Sequence, residues 1–137
     1  MQKIYDIKNG ILQNYLSDLT NVIIPDSVYV ISGAAFCGCF EMKSVYIPES
    51  VVIIDDFSFR KCSGLTHIEL PQGLRYIGRE AFAKCVWLEE ITIPETVLAI
   101  GDKAFYGCRN LKTVNIFGKP EIGKKAFHKT PYEQSKE

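Results

Sequence analysis

The chain has 137 residues, 47% hydrophobic and 23% charged, which describes one globular domain rather than a disordered segment. Sixteen basic residues balance sixteen acidic ones, so no cationic excess exists to neutralise a nucleic-acid backbone. The first 67 residues carry five basic and seven acidic side chains and the remainder eleven and nine, a swing too small to imply a polyanionic partner.

No apolar run reaches membrane-spanning length, and no apolar stretch of signal-peptide type follows Lys3. Ile4–Lys8 and Ile11–Tyr15 flank Asn9-Gly10, the dipeptide that favours a two-residue type I′ hairpin. Residues 1–18 therefore read as a hairpin cap.

From Leu19 onward a period of 23 residues controls the sequence. Prolines fall at Pro25, Pro48, Pro71 and Pro94; phenylalanines at Phe36, Phe59, Phe82 and Phe105; cysteines at Cys39, Cys62, Cys85 and Cys108. Each Phe follows a small residue: Ala35, Ser58, Ala81 or Ala104. Leu19, Met42, Leu65, Leu88 and Leu111 make an aliphatic ladder. A fifth unit starts at Val114, arrives at Phe127 one position early and replaces the Cys with Thr130. Degenerate terminal units suit a stack whose last member faces water.

Within a unit, Ile91-Thr92-Ile93 alternates as a half-buried strand does. Pro94-Glu95-Thr96 turns the chain, and Val97 to Ile100 reads as a second extended segment. Gly101 follows, suggesting positive φ, with Ser32, Asp55, Gly78 and Gly123 at the matching positions. Lys103–Cys108 reads as a short helical turn. The pattern divides the chain into the cap, a solenoid over 19–130 of about five repeats, and a polar tail over 131–137.

The unit Val45-Tyr46-Ile47-Pro48-Glu49-Ser50-Val51, with Ile100-Gly101-Asp102-Lys103-Ala104-Phe105-Tyr106-Gly107-Cys108, resembles the BspA-like, Treponema-type leucine-rich repeat. The resemblance implies a right-handed, β-rich leucine-rich-repeat solenoid with a parallel sheet on its concave side. It also implies a non-catalytic protein-binding module, in adhesion or another protein–protein contact, and a cell-surface or secreted location. The alternatives are a structural spacer, a self-associating fragment of a longer array, or a cytoplasmic scaffold.

The reactive residue types offer little chemistry. His67 and His128 are almost three repeats apart and share no metal-binding context. The cysteine column forms a line rather than a tetrahedron, so its members read as buried thiols. Cys37 aligns with Arg60, Ala83 and Tyr106 and reads as an exposed free thiol, or as an intermolecular disulfide partner. Asp26, Glu49 and Glu95 share a turn column that Gln72 interrupts, which reads as solvated rather than calcium-binding. No nucleophile set or phosphate loop is present. No catalytic, cofactor or metal residues are assigned.

The partner surface is expected on the outward positions of the first strands. Val22, Val45, Ile68, Ile91 and Val114 point inward, with Ile24, Ile47, Leu70, Ile93 and Ile116. Between them lie Ile23, Tyr46, Glu69, Thr92 and Asn115, flanked by Ser44, His67, Glu90 and Thr113. These nine are the candidate partner-binding residues. A second candidate face holds Tyr29, Val30, Val52, Ile53, Arg75, Tyr76, Leu98 and Ala99, and Trp87 is a candidate anchor.

Overall fold

The computed structural model describes residues 3–135. Residues 1–2 of the expected cap and 136–137 of the expected tail lie outside that range. Strands β1 (Tyr5–Lys8) and β2 (Ile11–Tyr15) form an antiparallel hairpin. Asn9 and Gly10 at its tip both have positive φ, 52° and 78°, as a type I′ turn requires.

Each following coil contributes two short strands. They are β3 (Asn21–Ile23) and β4 (Val30–Ile31), β5 (Ser44–Tyr46) and β6 (Ile53–Ile54), then β7 (His67–Ile68) and β8 (Tyr76–Ile77). After these come β9 (Glu90–Ile93) and β10 (Ala99–Ile100), then β11 (Thr113–Ile116) and β12 (Glu121–Ile122). Second strands pair in parallel from β4 to β12, and β2 joins them, aligning Leu12 with Ile31. The hairpin is thus part of the second sheet as well as its end. First strands form a three-stranded group, β3-β5-β7, and a separate pair, β9-β11. The chain is a parallel-sheet solenoid of about five coils.

The third wall replaces the helical turn expected from the sequence. Between Gly101 and Leu111, turns follow one another, each closed by an N–H donating three residues back, as from Ala104 to Gly101 and Cys108 to Phe105. The intervening N–H groups donate to the next coil: Lys103 to Lys124, Phe105 to Ala126 and Gly107 to His128. Other coils repeat this scheme, so alternate donors are satisfied within the coil and along the stack.

Gly101 needs a different explanation from the positive φ expected of it. The positive-φ positions lie two residues later, at Ala34, Phe57, Glu80, Lys103 and Lys125, and again at Gly38, Lys61, Lys84, Gly107 and Lys129. At Gly101 the constraint is proximity. A Cβ there would sit 2.5 Å from the Arg79 amide nitrogen, and at Gly78 2.5 Å from that of Asp56.

Phe36, Phe59, Phe82 and Phe105 are fully buried and, with Phe127, stack in a nearly parallel column at centroid spacings of 4.9 to 5.3 Å. Tyr15 continues the column at one end, and Tyr132 meets Phe127 edge-on at the other. Beside it, the thiols of Cys62, Cys85 and Cys108 donate to the carbonyls of Phe36, Phe59 and Phe82 at 3.0 to 3.2 Å. Burial pushes the thiols up, Cys39 to about 11 and Cys108 to about 12. Ser58, buried among alanines in its column, donates to the carbonyls of Ser32 and Asp55.

The ends depart from the repeat because each lacks a neighbour. Leu19 is exposed although Met42, Leu65, Leu88 and Leu111 are buried. Val114 and Ile116 are half-buried, unlike Val22 and Ile24, because among the described residues no further first strand pairs beyond β11. Helix α1 (Pro131–Gln134) forms within the expected polar tail. Thr130 accepts its Glu133 N–H at 3.1 Å, and Pro131 supplies a first-turn residue with no N–H to satisfy.

Replacing Phe82 with Ala should destabilise the fold by about 3–5 kcal/mol. A urea melt showing under about 1 kcal/mol would mean the column closes over the cavity. Gly101→Ala should cost about 1–3 kcal/mol in the same assay by overpacking; an unchanged midpoint would show that adjacent coils can separate there. Iodoacetamide at pH ~8 should label Cys37 and spare Cys62, Cys85 and Cys108 until denaturant is added, as peptide mass mapping would read.

Candidate functional site

All nine candidate residues lie on the first-strand wall. Ile23 and Tyr46 are adjacent across β3 and β5 and are 68% and 52% exposed. Ser44 aligns with His67 and is half-buried, its hydroxyl donating to Asn21 Oδ1 at 2.6 Å. Glu90 aligns with Thr113, and Thr92 with Asn115. All except Ser44 are exposed.

The structure does not join these pairs into one unbroken row. Parallel pairing stops between β7 and β9, so His67 is not paired with Glu90, nor Glu69 with Thr92. A cleft of about 320 Å³ occupies the break, lined by residues including His67, Glu69, Gln72, Glu90 and Thr92. A second depression of about 340 Å³ runs from Asn21 and Ser44 past Tyr46 to the same His67, Glu69 and Gln72. His67 and Glu69 approach to 3.8 Å, both largely exposed. The break is invisible in a sequence whose apolar alternation continues through Ile68 and Ile91.

Other candidates are less concentrated. On the second face Tyr29, Tyr76 and Leu98 are exposed, whereas Val30, Val52, Ile53 and Ala99 are half-buried. Trp87 projects from a turn. Cys37 is exposed, although its column mate Ala83 is buried. His128 approaches Glu133 Oε1 at 3.0 Å and tilts against Tyr106. The Glu49 carboxylate accepts the Gln72 N–H at 3.0 Å. Among the described residues, no group of three His, Cys, Asp or Glu is disposed to hold a metal, and no helix is long and apolar enough to cross a membrane.

Charge follows the walls rather than the halves of the chain. In the first-strand segments 18–26, 41–49, 64–72, 87–95 and 110–118, eight acidic residues face two basic ones. In the turn segments 32–39, 55–62, 78–85, 101–108 and 123–130 the balance is eight basic to four acidic. The cations gather toward the last coils around Tyr106. Lys103 and Lys129 place their Nζ atoms 5.3 and 5.5 Å from its ring centre. Hydrogen bonding from Lys129, then the charges of Lys129, Lys103 and Lys125, hold the phenol below its ordinary pKa. The charge balance of the two linear halves hides this cluster, whereas lysine recurrence at Lys61, Lys84 and Lys129 marks it in the sequence.

Residues 6–133 match the model of the BspA type leucine rich repeat region, in six copies. A leucine-rich repeat protein from Bacteroides ovatus is 42% identical over 71% of this chain and 25% of its own, with a TM-score of 0.68. The chain thus spans about a quarter of that relative's length. The pneumococcal vaccine antigen PcpA is 23% identical over 88% of this chain and 32% of its own, with a TM-score of 0.76. A leucine rich cell surface protein from Faecalibacterium prausnitzii is 21% identical over 90% of this chain and 50% of its own, with a TM-score of 0.62. Comparison with curated proteins gives no match. The six phased copies, covering nearly the whole coil, mean that the chain belongs to the BspA-type leucine-rich repeat family.

Proposed function

We propose that the chain is a non-catalytic protein-binding module that presents its first-strand wall to a protein partner, as part of an adhesive bacterial surface protein. The observation supporting this is the exposed outward series Ile23, Tyr46, Glu69, Thr92 and Asn115, whose chemistry changes at every coil. Structural columns elsewhere in the coil, such as the Phe column, hold one residue type. A solenoid carries recognition on such variable outward columns.

The surroundings suit a side-chain-led contact. Tyr46 and Ile23 offer apolar area, Glu69 and Glu90 offer charge, and His67 lies between. The cleft between β7 and β9 supplies a concave feature at the centre of the wall. The surface location draws on the family, in which the F. prausnitzii neighbour is a cell surface protein.

The test immobilises the chain and captures partners from source-cell and extracellular-matrix extracts. A protein held by the wild type and lost by a folded Tyr46→Asp, Glu69→Lys variant is the expected result. A Tyr76→Asp, Leu98→Asp variant on the second face should keep it. Equal capture by wild type and first-wall variant would overturn the first-strand wall in favour of the second face, and no capture would favour the spacer reading.

A further inference from the structure

We propose that a recess over Gly107 on the turn wall binds an acidic saccharide, a sugar unit carrying a sulfate or carboxylate group. Gly38, Lys61, Lys84, Gly107 and Lys129 occupy equivalent positions in successive coils, with φ between 60° and 75°. Gly107 is therefore a gap in a lysine column. A Cβ there would come within 3.3 Å of Lys84 Cγ. The missing side chain opens a recess of about 240 Å³ lined by Lys84, Val86, Tyr106, Gly107, Arg109 and Lys129.

Three cations converge on this recess, and among the described residues none forms a salt bridge. Nearby carboxylates are engaged elsewhere: Asp102 accepts the Lys124 N–H at 2.9 Å, and Glu133 lies 3.0 Å from His128. Lys84 and Lys129 stand two coils apart, about 10 Å at a strand spacing of about 4.8 Å. They flank an anionic group rather than crowd one another. Tyr106 and Val86 give the recess apolar surface against which the C–H face of a sugar packs.

The same geometry disfavours other anions. The local backbone donors are already used, Lys84 to Tyr106, Tyr106 to Lys103 and Gly107 to His128, leaving an acidic peptide no strand to extend. Single-stranded nucleic acid calls for a succession of aromatic platforms, whereas the recess has one ring with two ammonium groups beside it. The volume equals about eight waters at ~30 Å³ each, more than a lone inorganic anion fills.

Isothermal titration tests this with a heparin-derived hexasaccharide, a hyaluronan hexasaccharide, hexathymidylate and a hexaglutamate peptide. One or both saccharides should bind, more weakly as salt rises, and more tightly than the other two probes. Lys84→Gln and Lys129→Gln should each weaken binding about tenfold, the loss of one charge-assisted hydrogen bond. Gly107→Lys is the sharper variant. Its backbone conformation already carries lysine in three other coils, and it adds a positive charge while filling the recess. It should weaken binding by a similar factor. Unchanged or tighter binding would reveal diffuse attraction and overturn the proposal. So would failure of both saccharides, unchanged affinity in the glutamine variants, or tighter binding of the nucleotide or peptide. Circular dichroism checks folding; if Gly107→Lys does not fold, the Lys84→Gln, Lys129→Gln double variant decides the question. The Tyr46→Asp, Glu69→Lys variant should retain saccharide binding, separating this site from the first-strand wall.

Discussion

Everything in this molecule depends on the backbone bonding itself to the next coil in register. In the turn wall, alternate N–H groups donate along the stack, as Phe82 does to Ala104 and Phe105 to Ala126, both at 2.7 Å. Such a bond tolerates little sliding, so each residue lies against its equivalent 23 positions away in the regular coils. Side chains then have to suit a column of copies. Planar rings do so by stacking, and the Phe column gains aromatic contact in addition to burial. A small thiol does so by donating to the carbonyl of the preceding coil. Gly101 satisfies the same requirement by omitting a side chain where the neighbouring backbone leaves no room.

Those columns made the architecture legible from the sequence. Repeated Pro, Phe and Cys reported the coil, and inward Val and Ile marked the first strands, because each is fixed by a contact repeated in every unit. What escaped was set by differences between units. Ile68 and Ile91 keep the strand pattern, yet pairing fails between β7 and β9, because alternation specifies burial and not the distance to the neighbouring strand. The turn connector departs from the expected helical turn: Ala, Phe and Tyr also suit a helix, whereas the recurring positive φ at Lys61, Lys84 and Lys129 leaves no compositional signature. Of the candidate surface, exposure was legible residue by residue. Its division into two strand groups was not.

Repetition also lets the walls diverge. A column that faces solvent is released from the packing constraint, and neighbouring walls then accumulate different chemistry in the same short chain. Here the first-strand wall is acidic and polar with an aromatic patch at Tyr46, while the turn wall is basic near Tyr106. A net charge of +0 conceals this arrangement, because the acidic excess of the first-strand wall is offset by the basic excess of the turn wall together with that of the remaining segments.

The position of the Gly107 recess also bears on how the coil holds together. Its lining comes from three successive coils, with Lys84, Tyr106 and Lys129 one from each. The last of these belongs to a coil whose first strand, β11, is half-covered and whose Phe117 is 71% exposed, and sparsely covered elements open at lower free energy than the core. Parting that coil from its neighbour dismantles the recess. Anything held there engages only the closed form, so its binding energy is linked to keeping the two coils docked. Occupancy and local opening are thus reciprocal quantities in this fold.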